Sequence, residues 1–218
     1  MYVSAIVPAF NEEGWVGKTV ETLLKLPEIG EVIVVDDGST DKTAQEALEA
    51  GATVFSFSTN RGKSQALREG VRFSKGKILA FVDADLRESA LEIRKLIHVV
   101  AKDEADMSIA CFKAPRRAGL GFVRTLAYWA IRLRSGERMA VPLSGQRVLK
   151  RSLWEALSFK AEGFAAEVAL TIESSRSGYR IKEIPLQITH RFTGNDLYSF
   201  CHRGRQFLAV LKYIMKGQ

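Results

Sequence analysis

The stretch Ile78-Leu79-Ala80-Phe81-Val82-Asp83-Ala84-Asp85-Leu86 constrains the fold more than any other. An apolar run without alternation, bounded by Gly76 and polar residues, reads as a strand buried on both faces, and such strands belong to parallel sheets covered by helices. The run ends in two carboxylates one residue apart. Packing does not explain them, because an ionised carboxylate is costly to bury unless something pairs with it. At the carboxyl end of a parallel strand they fall where open α/β sheets bind ligands. Hard oxygen donors at such a place suit Mg2+ or Mn2+, which commonly share their coordination with a substrate's phosphates. The competing reading of Asp83-Ala84-Asp85 is a solvated turn, and the rest of the chain decides between them.

The same pattern recurs upstream. Residues 3–7 are β-branched and apolar, and Pro8 is expected to stop that strand. A helix is expected over 14–26, then a strand over 31–35 ending in Asp36-Asp37-Gly38-Ser39-Thr40-Asp41, with Thr40 or Asp41 capping a helix over 42–50. A third strand (53–57), the basic turn Asn60-Arg61-Gly62-Lys63-Ser64, a helix over 65–73, the organising strand, a helix over 88–101 and a strand over 107–111 follow. At the turn, backbone amides with Arg61 and Lys63 could meet a phosphate. Residues 1–112 therefore read as βαβαβαβαβ, a parallel sheet with right-handed crossovers. Gly17-Lys18-Thr19 resembles the end of a P-loop, but Glu12 stands where that pattern requires glycine.

Residues 113–218 break the rhythm. A basic loop (114–119), an aromatic helix (122–133), a short strand at Val148-Leu149, short helices over 152–157 and 165–175, an edge or mixed-sheet strand over 181–188 containing Pro185, and a basic amphipathic helix over 197–215 are expected. Charge divides along the same line. Residues 1–112 hold 13 Lys and Arg against 18 Asp and Glu, a net of −5; the remainder holds 19 against 7, a net of +12. The acidic half can hold a metal, and the basic half can face phosphate or an anionic membrane surface. Nucleic acid is a poor fit, since no nucleic-acid module is recognisable. No apolar run approaches the roughly 18–20 residues of a membrane span, and no leader pattern precedes the first strand. Cys111 and Cys201 are expected to be buried free thiols in a reducing cytoplasm.

Taken together, Val7-Pro8-Ala9-Phe10-Asn11-Glu12-Glu13, Val34-Val35-Asp36-Asp37-Gly38-Ser39-Thr40-Asp41, Asn60-Arg61-Gly62-Lys63 and Phe81-Val82-Asp83-Ala84-Asp85 resemble the family 2 glycosyltransferases. The stretch from Gly163 to His190 is similar to their acceptor-side half. The resemblance implies one continuous α/β domain of the GT-A fold, residues 1–112 forming its nucleotide-sugar-binding half and 113–218 its acceptor-side half. It implies a nucleotide-diphosphate sugar donor, a UDP- or GDP-sugar, and a divalent Mg2+ or Mn2+. Residue by residue, it implies Pro8, Ala9, Phe10 and Glu12 in the base and ribose pocket and Asp36 accepting a hydrogen bond from the base. Lys63 would approach the base or diphosphate, Asp83 and Ala84 the ribose or metal region, and Asp85 the metal. Ser144, Gly145 and Gln146, Glu167 with Gly163-Phe164-Ala165-Ala166, and Thr189-His190-Arg191 are similar to glucosyl-3-phosphoglycerate synthases. That subgroup implies His190 as a second metal ligand, Arg191 at the diphosphate, Glu167 facing sugar or acceptor, and Ser144, Gly145 and Gln146 on the acceptor side.

Two acceptors compete within this reading. A small phosphorylated acid would use Arg138, Arg147 and the 114–119 loop as an anion clamp. A polyprenyl phosphate, the acceptor of other similar enzymes, would need a membrane-facing surface from helices 122–133 and 197–215. Peripheral contact with the inner membrane face and a homodimer stay open. A non-catalytic nucleotide-sugar binding module is the alternative class. A receiver domain is a poorer fit, because the paired acids follow the second strand rather than the first and residues 8–13 and the basic half are left without a role.

Overall fold

The computed structural model describes residues 2–111, 121–137, 139–141, 144–157 and 165–188. Along them run β1 (Val3–Ala9), α1 (Val16–Leu24), β2 (Ile29–Asp36), α2 (Thr43–Glu49), β3 (Thr53–Ser56), α3 (Lys63–Phe73) and β4 (Ile78–Phe81). A 3-10 turn (Arg87–Glu92) leads into α4 (Ile93–Ala101), followed by β5 (Met107–Cys111), α5 (Gly121–Ser135), β6 (Arg147–Lys150), α6 (Arg151–Ala156), α7 (Ala165–Arg176) and β7 (Ile181–Pro185). The expectations for 114–119, for Gly163-Phe164 and for helix 197–215 lie outside the described residues.

The strands form one seven-stranded sheet in the order β3-β2-β1-β4-β6-β5-β7. β1 pairs in parallel with β2 and β4, and β2 with β3. Helices cover both faces, which is why β1 and β4 are apolar without alternation. Val3, Ala5 and Val7 pack with Val16, Val20 and Leu23 of α1 and with Ile93, Leu96 and Ile97 of α4. Ile6, Leu79 and Phe81 face the other way, onto Leu67 and Val71 of α3, Ile131 of α5 and Val168 of α7. This is the mixed α/β architecture expected of a GT-A fold.

Several local expectations need correction. The short strand expected at Val148-Leu149 is present as β6, and it makes mixed a sheet expected to be parallel. β6 lies between β4 and β5, antiparallel to both. β7 occupies the edge, parallel to β5. Pro8 does not stop β1 but pairs in register with Val35. Backbone groups alternate sides along a strand: Ile6 receives Val82 N–H on the β4 side, and Ala9 receives Asp37 N–H on the β2 side. The Pro8 nitrogen thus faces β4 beyond its last rung, where no N–H is needed. The single helix predicted over 88–101 is a 3-10 turn followed by α4, a common way for a helix to begin. Cys111 ends β5 partly exposed rather than buried; what burial it has, with the Glu183 carboxylate nearby, raises its thiol pKa. Cys201 lies outside the described residues.

The register decides what meets at the carboxyl edge. Ala9 is level with Asp36, and Phe81 of β4 is level with Arg147, the first residue of β6. Because β6 runs antiparallel, the residues just before it arrive beside the residues just after β4. Ser144, Gly145 and Gln146 are thereby delivered to Asp83.

Candidate active site

Two loops are stitched together at the ends of β1 and β2. Asn11, in the left-handed region at φ 55°, donates its N–H to Ser39 Oγ at 2.9 Å, and its Oδ1 accepts from Thr40 N–H at 3.0 Å. The amides of Glu12, Glu13 and Gly14 donate to Thr43 Oγ1, Asp41 Oδ2 and Glu46 Oε2 at 2.8, 3.2 and 2.7 Å. Asp41 Oδ1 also accepts from Thr43 N–H at 3.0 Å, so Asp41 supports the start of α2 as well. Within this frame Ala9 is buried, Pro8 half-buried, and Phe10 exposed. Asp36 is 4% exposed, and its Oδ1 accepts from Ser39 N–H at 3.0 Å.

Asp37 has a different use. Its two oxygens accept from the amides of Arg61 and Gly62 at 2.6 and 2.8 Å, pinning the entry to α3 against β2. A carboxylate thus holds two amides of the basic turn just ahead of α3, whose first residue is Lys63. Arg61 lies over the Phe57 ring at 4.7 Å. Gly38 turns the chain directly after the two acids at φ +79°. A Cβ there would stand 2.8 Å from the Thr59 carbonyl carbon, so only glycine fits.

The charged centre lies one strand over. Lys63 Nζ contacts Asp83 Oδ1 at 2.7 Å and Glu167 Oε1 at 3.3 Å, joining α3, the end of β4 and α7. Gln146 grips Asp83 twice: Nε2 donates to Oδ2 at 2.6 Å, and Oε1 accepts the Asp83 N–H at 3.0 Å. Gly145 fits because it has no side chain, since a Cβ there would lie 2.4 Å from Lys63 Nζ and 3.1 Å from both Asp83 oxygens. Burial opposes the charge on Lys63, but the carboxylates of Asp83 and Glu167 prevail and raise its pKa above the ordinary lysine value. Asp85 follows on the same turn, half-buried, and Ala84 between the two acids is buried.

Glu167 uses one oxygen on Lys63; the other, Oε2, is buried without a hydrogen-bond partner among the described residues, as is Ser144 Oγ. An unsatisfied buried carboxylate oxygen is costly, and a ligand hydroxyl would relieve it. Behind Glu167 a small cleft is lined by Leu67, Phe81, Trp154 and Leu170, with Gly145 and Arg147 at its side. Arg147 does not fit the anion clamp expected of it. It is 1% exposed, with Nε donating to the Ser144 carbonyl and Nη1 to Thr171 Oγ1, both at 2.9 Å. Burial lowers its pKa to about 10, against the opposing pull of Glu167 and Glu183. Gln146 is likewise fully buried, and its side chain serves Asp83.

The structure thus brings Lys63, Asp83, Gly145, Gln146 and Glu167 into one contact group, with Asp85 next to it in sequence. Pro8, Ala9, Phe10, Glu12 and Asp36 line the neighbouring strand ends. Arg138, His190 and Arg191 lie outside the described residues. Among the described residues, no group of three or more His, Cys, Asp or Glu forms a metal site by itself. Sequence reasoning missed Asp37 as a pin and Gln146 as the grip on Asp83, and neither carries a local signal, because their partners are 24 and 63 residues away.

Comparison with known proteins agrees with this geometry. The family model for glycosyl transferase family 2 matches residues 4–166. The dodecaprenyl-phosphate galacturonate synthase of Rhizobium johnstonii is 28% identical over 228 residues, 96% of this chain and 65% of that protein. The glucosyl-3-phosphoglycerate synthase of Mycolicibacterium smegmatis is 42% identical over 93 residues, 38% of this chain and 31% of that protein. The crystal structure of the Mycobacterium tuberculosis glucosyl-3-phosphoglycerate synthase with Mn2+, UDP and phosphoglyceric acid has a TM-score of 0.82 at 27% identity, covering 98% of this chain and 78% of that one. The chain spans just under two thirds of the galacturonate synthase and less of some other relatives, such as half of the Haloferax volcanii hexosyltransferase Agl6.

Proposed function

The chain belongs to glycosyl transferase family 2, and from that premise we propose that it moves a sugar from a UDP- or GDP-sugar, UDP being favoured, to a small phosphorylated acid. The observation that carries the reading is Lys63 held between Asp83 and Glu167 at the carboxyl edge of the sheet. It places a fixed positive charge and a carboxylate with a spare oxygen beside the turn that ends in Asp85. Support for the donor and acceptor comes from the mycobacterial synthase, whose structures hold UDP, Mn2+ and phosphoglyceric acid.

In this reading the base lies in the pocket of Pro8, Ala9, Phe10 and Glu12, with Asp36 accepting its hydrogen bond, and Ala84 and Asp83 border the ribose. Asp85 holds a Mg2+ or Mn2+ ion, with His190 as the second protein ligand. The donor set fits such an ion: a hard carboxylate on a half-exposed turn leaves room for the donor's phosphates to complete the shell. Bound there, a divalent cation supplies charge stabilisation to the departing diphosphate. Lys63 keeps its proton and orients Asp83 and Glu167. Glu167 Oε2 accepts from a hydroxyl of the sugar or acceptor, and Gly145, Ser144, Arg138 and Arg191 border the acceptor and phosphates. The proposed setting is the cytoplasm.

The test is release of nucleotide from a panel of nucleotide-sugars, with 3-phosphoglycerate as acceptor, in Mn2+ and in EDTA. One donor should turn over only with both metal and acceptor present. Metal-dependent binding of a donor without turnover on any acceptor would instead identify a binding module. A second reading, transfer to a polyprenyl phosphate at the membrane face, is favoured by Trp129 and Leu133. They point outward from α5, 49% and 77% exposed. No helix among the described residues is long and apolar enough to cross a membrane.

A further inference from the structure

Thr19 breaks the pattern of its own helix. Val16, Val20 and Leu23 are the apolar stripe of α1, and Thr19 sits in that stripe wholly buried. A hydroxyl in such a place is costly unless it is satisfied. Its Oγ1 donates to the Ala84 carbonyl at 2.7 Å, nearer than the Trp15 carbonyl of its own helix at 3.2 Å, and accepts the Arg87 N–H at 2.8 Å. Ala84 and Arg87 flank Asp85 and Leu86, so one hydroxyl closes both ends of the turn that displays Asp85. Arg87 is held there at φ 49°, a conformation that residues other than glycine rarely adopt. Its guanidinium reaches back to the Gly14 carbonyl at 2.9 Å and lies over the Trp15 ring at 4.2 Å. Both anchors are at the start of α1. The turn is therefore fastened to α1 and does not simply trail from β4.

We propose that Thr19 is a positioning residue for the cation: through the Ala84 carbonyl and the Arg87 amide it fixes the direction in which Asp85 presents its carboxylate. The proposal rests on the reading of Asp85 as a metal ligand. Groups that orient a ligand commonly matter to metal affinity by 10- to 100-fold. Gly17-Lys18-Thr19 thus has a use unrelated to the P-loop it resembles: its threonine grips a neighbouring turn instead of a phosphate-bound ion.

The experiment is Mn2+ titration in saturating UDP, read as loss of the free Mn2+ electron paramagnetic resonance signal. It is run on the wild-type protein and on Thr19→Val, Thr19→Ser and Asp85→Ala. Thr19→Val keeps the shape and removes both hydrogen bonds to the turn; the Mn2+ dissociation constant should rise about tenfold or more. Thr19→Ser keeps the hydroxyl and should bind within about twofold of wild type on the same argument. UDP affinity in EDTA should be unchanged in both. A Thr19→Val protein that melts earlier in EDTA yet binds Mn2+ as wild type does would assign Thr19 to packing alone and overturn the proposal. If Thr19→Val does not fold, Thr19→Ala, which also lacks the hydroxyl, is held to the same two outcomes. Asp85→Ala with undiminished Mn2+ affinity would remove the parent reading of Asp85, a result separate from either Thr19 outcome.

Discussion

Lys63 is where single residues decide what this protein can do. Its ammonium is shared by Asp83 and Glu167, from elements 20 and 104 residues away in sequence. Removing it would leave two carboxylates facing each other over a narrow gap, while Gln146 still holds Asp83 as a neutral partner. Lys63→Met should therefore lower kcat/KM for sugar transfer by about 100-fold, in the range found when one preorganised charge or donor is lost. Steady-state kinetics with donor and acceptor both varied measures this, and retention of half the activity would show that Lys63 only packs. Lys63 was legible in the sequence from Asn60-Arg61-Gly62-Lys63, and Asp83 from its place after an apolar strand. Arg147 was misread. A cation in a basic stretch suggests a surface, yet Phe81 opposite it in the sheet and Thr171 on α7 enclose it. Burial of that kind is a tertiary property, and no local pattern around Val148 announces it.

Among the elements, β6 carries the largest departure from expectation. Four residues are too few for a sequence to say which strands they will separate. The ends of β6, β5 and β7 are joined by Asp106, which receives Lys150 Nζ at 2.7 Å and the Arg180 N–H at 2.9 Å, with the Arg180 guanidinium at 3.2 Å. Hydrogen bonds from Arg180 outweigh partial burial and, with Lys150, hold the Asp106 carboxyl far below its ordinary value of 3.8. A carboxyl depressed in the folded state adds stability above its unfolded pKa and loses it as the pH falls through the folded one. Asp106→Asn should cost about 2 kcal/mol at neutral pH, a charged hydrogen-bond value discounted for the exposure of Lys150 and Arg180. The difference should be level from pH 5 to 8 and shrink as pH drops below about 4, where the unfolded chain's carboxyl protonates while the native one stays ionised. Urea unfolding across that range checks it, and a difference that grows on acidification would contradict the sign. By contrast, β1, β2 and β4 were legible because burial on both faces leaves an unbroken apolar run, a signal that needs no knowledge of neighbours.

At the scale of the whole molecule, charge and exposure frame the choice of acceptor. The acidic half supplies the carboxyl edge with Asp36, Asp83 and Asp85, while α5 on the basic half turns Trp129 and Leu133 outward beside Arg132 and Arg134. An aromatic and an aliphatic side chain one helical turn apart, flanked by cations, can enter the headgroup region of an anionic bilayer. Each large apolar side chain buried there contributes about 1.5–3 kcal/mol. Trp129→Ser with Leu133→Ser should then weaken partition onto vesicles of anionic phospholipid at least about tenfold, as the loss of one to two such contacts predicts. Because both side chains are exposed, the unfolding midpoint should move by no more than about 2 °C. The same double variant separates the two acceptors. If the acceptor is a small phosphorylated acid, turnover on 3-phosphoglycerate is unchanged, because α5's outer face takes no part. If it is a polyprenyl phosphate, turnover on vesicle-embedded acceptor falls with binding while nucleotide-sugar affinity holds. Wild-type protein that ignores anionic vesicles altogether would leave the soluble acid as the acceptor class and reduce the outward face of α5 to ordinary surface.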